Sequence, residues 1–421
     1  MEADIKKRST LLIILCWAAY ATQYINKYSI QICLKGMIES GLFTESFGGN
    51  VLTAFFASYA FGQFVNGWLG DKVNPRYMIG TGLAGAAAMN LMMGLAGDKI
   101  VVLIIWCLNG WFCSMLWAPV VRCVAEFIPV ERRSGAGASL SATSPVGLLT
   151  VYALGGIFLD EIGSYRHVYI AASCFAAVMA IVWFIGTHRL RDHFKHYSSV
   201  APETGKNGGG ARVGGKKLAF LLISSGAAFG FGCIMFNGVL KDGVSSWTHS
   251  YLVSNYGITE SLASTLLMIL PFVNLAGAFS AVKLFKKNKN EFLTTAAMFT
   301  VSVVSISLLL AVRNFSAVFG VILLALSSAA MLGANTMLLT FLPMRFAHVG
   351  RAATFTGMLD TVSYLSSAVS GTVNGNIIEN SGWNTLILVW VGLALAGVTV
   401  SVLGTLKWRK RKESPEAEQT E

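Results

Sequence analysis

Residues 77–97 read YMIGTGLAGAAAMNLMMGLAG and residues 100–127 read IVVLIIWCLNGWFCSMLWAPVVRCVAEF. Each run is long enough to cross a hydrocarbon core of about 30 Å, which takes roughly 20 helical residues. Only the short turn Gly97-Asp98-Lys99 separates them. The runs are far longer than the roughly ten-residue alternating strands of a membrane barrel, so the spanning elements are helices, which satisfy their own backbone in lipid.

The same kind of run recurs along the chain, at 10–35, 48–70, 134–159, 165–188, 217–252, 259–283, 290–312, 314–342, 352–378 and 382–406. With the first pair this predicts an all-α polytopic protein of twelve transmembrane helices. Composition agrees: of 421 residues, 54% are apolar and 13% charged, against about 45–50% and about 25% in soluble domains. A soluble enzyme of this length lacks the charge to solvate its surface. The net charge of +11 sits in short basic clusters between the runs, so it reports topology and not a nucleic-acid partner. Of the 32 Lys and Arg, 25 fall on one side of the twelve-span map, four on the other and three inside spans. The positive-inside rule then places both termini and the central loop in the cytoplasm, with the protein in the plasma membrane. No cleavable signal peptide is expected, because the first run is too long for a signal core and no small-residue cleavage site precedes Lys27. All seven cysteines lie in expected spans and read as small core residues rather than a disulfide framework.

Residues 189–216 are polar, basic and glycine-containing, and divide the chain into a six-helix bundle over 1–188, a cytoplasmic linker, a second bundle over 217–408 and a tail over 409–421. Gly210-Ala-Arg-Val-Gly-Gly-Lys216-Lys217 comes close to a phosphate-cradling loop, but Lys217 replaces its Ser/Thr and no strand precedes it. His193 and His196 are too sparse for a metal site. Neither a metal nor a cofactor is expected.

Ionisable side chains inside lipid cost at least about 2.5–3.5 kcal/mol and persist where they face a cavity or a partner. Lys27 in span 1 and Lys241 in span 7 occupy matched places in the two halves, as expected where a repeat-built transporter holds its substrate centrally. They offer an anion two ammonium groups, with Tyr20, Tyr24 and Tyr59 supplying hydroxyls; Tyr20, Tyr24 and Lys27 share one helical face. The alternative for each lysine is to snorkel or to neutralise a buried acid. Asp360 in span 11 is a proton carrier, a counter-charge for a lysine or a structural ion-pair member. Asp242 is a local counter-ion candidate, although helix neighbours do not face each other. Arg122 and Glu126, four apart, read as mutual support. The small residues near 80–88 and 135–139 allow close helix packing, and Pro145 and Pro271 allow bends.

Gly67-Trp-Leu-Gly-Asp71-Lys72-Val-Asn-Pro-Arg76 resembles the loop signature of the major facilitator superfamily, in which an acid at a helix end and nearby basic residues act as a gate. Its Asp-Lys-x-Asn-Pro-Arg form is similar to the organophosphate:phosphate antiporters that carry glycerol 3-phosphate and hexose phosphates. That likeness runs through spans 1 to 7 and is weaker beyond span 8, where Val282-Lys-Leu-Phe-Lys-Lys lacks the acid. It implies two six-helix pseudo-symmetric bundles. It also implies substrate contact at Lys27 and Lys241, pocket tyrosines at Tyr20, Tyr24 and Tyr59, and Ser144 where the family has a histidine. Both basic positions are arginines in that family. Lysine is a point charge without arginine's bidentate fork.

These readings converge on a secondary transporter of a small organic anion, expected to be a sugar or glycerol phosphate exchanged for phosphate by alternating access. The rival is a proton-coupled symporter of a carboxylate or sugar acid. A ligand-binding membrane sensor and an integral-membrane enzyme remain as further classes, the enzyme without any nucleophile–base pair or metal cluster to support it. The expected partners are the anion, phosphate or a proton as coupled species, and lipid, with the protein a monomer.

Overall fold

The computed structural model describes residues 2–70, 73–129, 131–132, 136, 139–140, 143–159, 164–191, 226–312, 316–345 and 352–412. Asp71, Lys72, most of the linker with its histidines and glycines, the start of the seventh expected span and the end of the tail lie outside the described residues. The helices are α1 (Glu2–Glu39), α2 (Glu45–Gly70), α3 (Pro75–Leu95), α4 (Lys99–Ser114), α5 (Trp117–Phe127), α6 (Thr143–Phe158) and α7 (Tyr165–Arg189). They continue with α8 (Phe229–Tyr256), α9 (Glu260–Leu267), α10 (Leu270–Asn288), α11 (Glu291–Val312), α12 (Ala317–Thr336) and α13 (Ala352–Lys412). Among the described residues there is no strand.

Local chemistry fixes the ends. Asp98 accepts hydrogen bonds from the Ile100 and Val101 amides, 2.8 and 3.1 Å, so the turn between the opening pair of spans is also the N-cap of α4. Asn74 caps α3 in the same way, ahead of Pro75 at the first helical position. The 61 residues of α13 would measure about 90 Å as one rod, three times a hydrocarbon core. Gly382, with φ 74°, breaks it into two spans at a conformation that glycine adopts without a Cβ penalty.

Seven helical stretches among the described residues are long and apolar enough to cross a membrane, one of them the double-length 355–407 segment. The other expected spans coincide with α1, α2, α6 and α8, of which α6 is short in its described part. The remaining three carry more polar residues, Lys27 and Lys241 among them. Apolar side chains stay exposed at helical spacing on Ile104 and Leu108, on Val178, Ile181, Val182 and Ile185, and on Val301, Val304 and Leu308. Continuous apolar faces of this kind suit lipid and not water.

The chain forms two compact units, Met1–Gly205 with Gly257–Pro271, and Lys206–Tyr256 with Phe272–Glu421. In the first, a core of Leu12, Cys16, Ile79, Leu83, Val120 and Trp183 joins α1, α3, α5 and α7. The short α9 belongs to this unit: Ser261 donates to the Gly156 carbonyl at 2.9 Å, and Gly155 admits the Ser264 side chain against α6.

In the second unit α8 packs along α13. A Cβ on Gly238 would stand 2.5 Å from the Ser363 carbonyl, so the two backbones touch there. We expect Gly238→Val to cost about 1–3 kcal/mol by overpacking, read as a lower melting temperature of the purified protein; an unchanged melt would contradict this close approach.

Candidate functional site

In the first unit the site grows from one face of α1. Tyr20, Tyr24 and Lys27 follow at offsets of four and three, and the rings of Tyr20 and Tyr24 meet edge to face at 5.2 Å. Tyr20 also packs on Trp117 at 4.9 Å and forms part of the apolar core, 7% exposed. Lys27 is 5% exposed. Its ammonium lies 4.5 Å from the Tyr59 ring centroid, 5.4 Å from Tyr28 and 5.8 Å from Phe56. A desolvated cation over aromatic faces gains up to about 2 kcal/mol from the ring quadrupoles. The Tyr59 hydroxyl accepts from Gln63 Nε2 at 2.8 Å, which holds the closest ring in place.

One turn of α1 beside this box is polar and buried. Asn109 Nδ2 donates to the Asn26 carbonyl at 3.1 Å, Asn90 Nδ2 to Asn109 Oδ1 at 3.4 Å, and Ser29 Oγ to Asn90 Oδ1 at 3.3 Å. This ladder ties α1, α3 and α4 together behind Lys27. Ser144, half-buried, lies in the first turn of α6, and Gly147 on that helix lets its backbone lie against Tyr24 and the Ala21 carbonyl.

In the second unit Lys241 is 21% exposed and makes an ion pair with Asp242, Nζ to Oδ2 3.5 Å, while its ammonium stands 5.8 Å from the Tyr364 ring. Asp242 is 4% exposed, and Ser367 Oγ donates to its Oδ2 at 2.6 Å. That length is typical of a charge-assisted bond to a carboxylate. Asp360, half-buried, lies on α13 one turn before Tyr364.

Of the residues expected to form a gate, Gly67 ends up half-buried on α2 and Arg76 in the first turn of α3, where its carbonyl accepts from Trp183 Nε1 at 2.9 Å. Arg122 pairs with Glu126, Nε to Oε1 2.9 Å, and its Nη1 donates to the carbonyls of Gly70 and Val73 at 2.7 and 3.2 Å. It therefore clasps the loop on both sides of Asp71 and Lys72.

Tyr28, Phe56, Gln63, Tyr364 and Ser367 were not singled out in the sequence. Phe56 and Gln63 are three and four residues from Tyr59, so helical spacing held that signal. A cavity of about 770 Å³ opens at the far end of α1, lined by Glu39, Tyr165, Arg166 and Glu260 among others. None of the residues expected to bind substrate lines it.

The description Major Facilitator Superfamily matches residues 16–371. The membrane sensor protein UhpC of Salmonella typhimurium is 22% identical over 422 residues, covering 96% of this chain and 93% of its own. A probable hexose phosphate transport protein of Chlamydia muridarum is 26% identical over 173 residues, 41% of this chain and 37% of its own. The crystal structure of a bacterial homologue of the human lysosomal transporter Spinster, inward-facing and unoccupied, superposes with a TM-score of 0.68 at 15% identity, covering 96% of each chain. That likeness is one of fold.

Proposed function

The chain belongs to the major facilitator superfamily, and on that footing we propose that it is an alternating-access carrier of a small organic anion in the cell membrane. The leading substrate is a phosphorylated metabolite, a sugar or glycerol phosphate, taken in exchange for phosphate. The observation that carries this reading is Lys27, a lysine 5% exposed and set among Tyr59, Tyr28 and Phe56 inside an apolar bundle. Ionisable side chains in such a place face a cavity or a partner, and this reading gives Lys27 an anionic substrate to face.

Lys27 in the first half and Lys241 in the second are the anion-binding cations of this reading, and Tyr20, Tyr24, Tyr59 and Ser144 are the hydrogen-bonding residues it assigns to the substrate. The substrate shifts the balance of carrier states by binding the closing state better than the open ones. The Asp71–Arg76 loop, clasped by Arg122, releases and re-forms as the halves rock. Both termini and the linker are cytoplasmic, following the distribution of basic residues. No covalent step enters the cycle.

Lysine at both cationic positions favours a second reading, proton-coupled symport of a carboxylate or sugar acid, because an ammonium lacks the planar fork that matches phosphate. Proteoliposomes separate the readings. Phosphate loaded inside should drive uptake of labelled glycerol 3-phosphate or glucose 6-phosphate under exchange. Uptake of gluconate that needs a pH gradient favours symport. Tight binding with no flux of any of these would make the protein a sensor, as UhpC is described, and defeat the carrier reading.

A further inference from the structure

Each of the two lysines has a buried amide one helical turn before it. Gln23 precedes Lys27 on α1 and Asn237 precedes Lys241 on α8, both by four residues, which keeps amide and lysine on the same helix face. Gln23 is 1% exposed and Asn237 0%. Their nitrogens do matching work: Gln23 Nε2 donates to the Cys113 carbonyl on α4 at 3.4 Å, and Asn237 Nδ2 to the Met331 carbonyl on α12 at 2.7 Å. Helices α1 and α4 lie in the first and fourth expected spans, α8 and α12 in the seventh and tenth. The same tie is therefore made once in each half.

These ties use only the nitrogens. The oxygens, Gln23 Oε1 and Asn237 Oδ1, are buried and receive no hydrogen bond from a described residue. One turn after Lys27 the pattern recurs, since Gln31 is 2% exposed and its Oε1 is also buried without a donor among the described residues. An amide oxygen has two lone pairs to fill, and burying it unfilled costs free energy that an apolar residue at the same position avoids. Three such acceptors, each within one turn of a lysine, call for a donor that comes and goes.

The substrate of an anion carrier brings acceptors to the ammonium groups with its charged end. Its neutral part brings donors only where it carries hydroxyls, and a hydroxyl suits an uncharged amide oxygen, whereas an ammonium is served better by a carboxylate. We propose that Gln23, Gln31 and Asn237 select the substrate by its hydroxyl groups. In each half the lysine takes the charge and the amide oxygens accept from the hydroxyls, so the carrier prefers polyhydroxy anions over anions of the same charge and length that lack them. The inference rests on the anion-carrier reading and adds to it the residues that read the neutral part of the substrate.

The selection follows from what a poor substrate leaves behind. A site built to hydrogen-bond a hydroxyl rejects the analogue without it, because its own polar groups then stay buried and unpaired. The charged end is not what is read here, so a sugar phosphate and a sugar acid pass the same filter. Inorganic phosphate brings no polyol and should bind more weakly than its glycerol ester.

The test uses the full chain, purified, with two pairs of probes whose members differ only in hydroxyls: glycerol 3-phosphate against propyl phosphate, and gluconate against hexanoate. On whichever pair binds, wild type should prefer the hydroxylated member by at least about tenfold. Gln23→Met, Gln31→Met and Asn237→Leu each remove one acceptor with little change of volume. Each should lower that preference about three- to tenfold, the worth of one hydrogen bond, through weaker binding of the hydroxylated probe. The Gln31 side chain makes no hydrogen bond to a described residue, so Gln31→Met breaks no tie and reads the first half even if Gln23→Met does not fold. Asn66→Leu is the control for a merely structural role: it breaks the bond from Asn66 Nδ2 to Ser114 Oγ, 2.7 Å, between α2 and α4, and should lower the melting temperature without moving the preference. A wild-type preference below tenfold, a preference kept in Gln31→Met and the other folded variants, or one lost equally in Asn66→Leu overturns the proposal and leaves the carrier reading intact. Failure of all four probes to bind wild type defeats the carrier reading and the proposal with it.

Discussion

Replacing Lys27 by glutamine is expected to lower specific anion uptake by at least about a hundredfold while leaving the protein folded in the membrane. The reasoning starts from burial. The ammonium of a lysine that is 5% exposed, set against an anion in a place of low dielectric, is worth several kcal/mol, since removing one partner of a desolvated charge pair costs about 2–5 kcal/mol. Each 1.4 kcal/mol is tenfold in affinity. Glutamine keeps a hydrogen-bond donor of similar reach and removes only the charge, so loss of uptake can be assigned to charge. Lys27→Arg refines the result. A phosphate ester should accept the guanidinium's two parallel donors and keep substantial transport, whereas a carboxylate held by a point charge should lose more. The measurement is initial-rate counterflow in proteoliposomes, normalised to reconstituted protein. Unaltered rates in Lys27→Gln would remove Lys27 from the site.

The second large effect concerns stability. Glu291, in the first turn of α11, is 1% exposed, and its carboxylate receives Arg345 Nε at 2.7 Å. The same guanidinium donates to the Lys289 carbonyl at 3.3 Å, pinning the turn between α10 and α11. Arg345→Met leaves a buried carboxylate without its cation, a loss of about 3–5 kcal/mol for pairs of this kind. The partly exposed arginine and the favourable dipole at the helix N-terminus place the expectation near the lower end. Thermal melts in detergent should show a clear fall for Arg345→Met and a smaller one for Arg345→Met combined with Glu291→Leu, which removes both charges. Equal falls in the two variants would show that the ion pair is not the cause.

The membrane-length runs were legible because lipid imposes a length and a composition on every crossing; each expected run overlaps described helix, 134–159 and 217–252 only in part, and 100–127 and 259–283 are each divided between two helices. The charged positions inside them were legible for the same reason: Lys27 and Lys241 stand out against apolar neighbours. What surrounds those positions was less so. Ser367 is 125 residues from Asp242, and only the packing of α8 on α13 brings them together. The Lys241–Asp242 pair runs against the rule that consecutive helix side chains diverge, and it depends on the reach of one flexible arm. Tyr28 was hidden by the opposite problem, as one tyrosine among several on α1. The attachment of α9 to the first unit rests on hydroxyls meeting glycines at 155 and 156, a match of shapes that hydropathy does not record.

That attachment means the two units are not separated by a single cut in the polypeptide. The backbone leaves the first unit, enters the second, returns for residues 257–271 and leaves again. A gene fragment encoding everything after the linker would therefore produce a product lacking its own α1 and α6, with the serine edge of α9 uncovered.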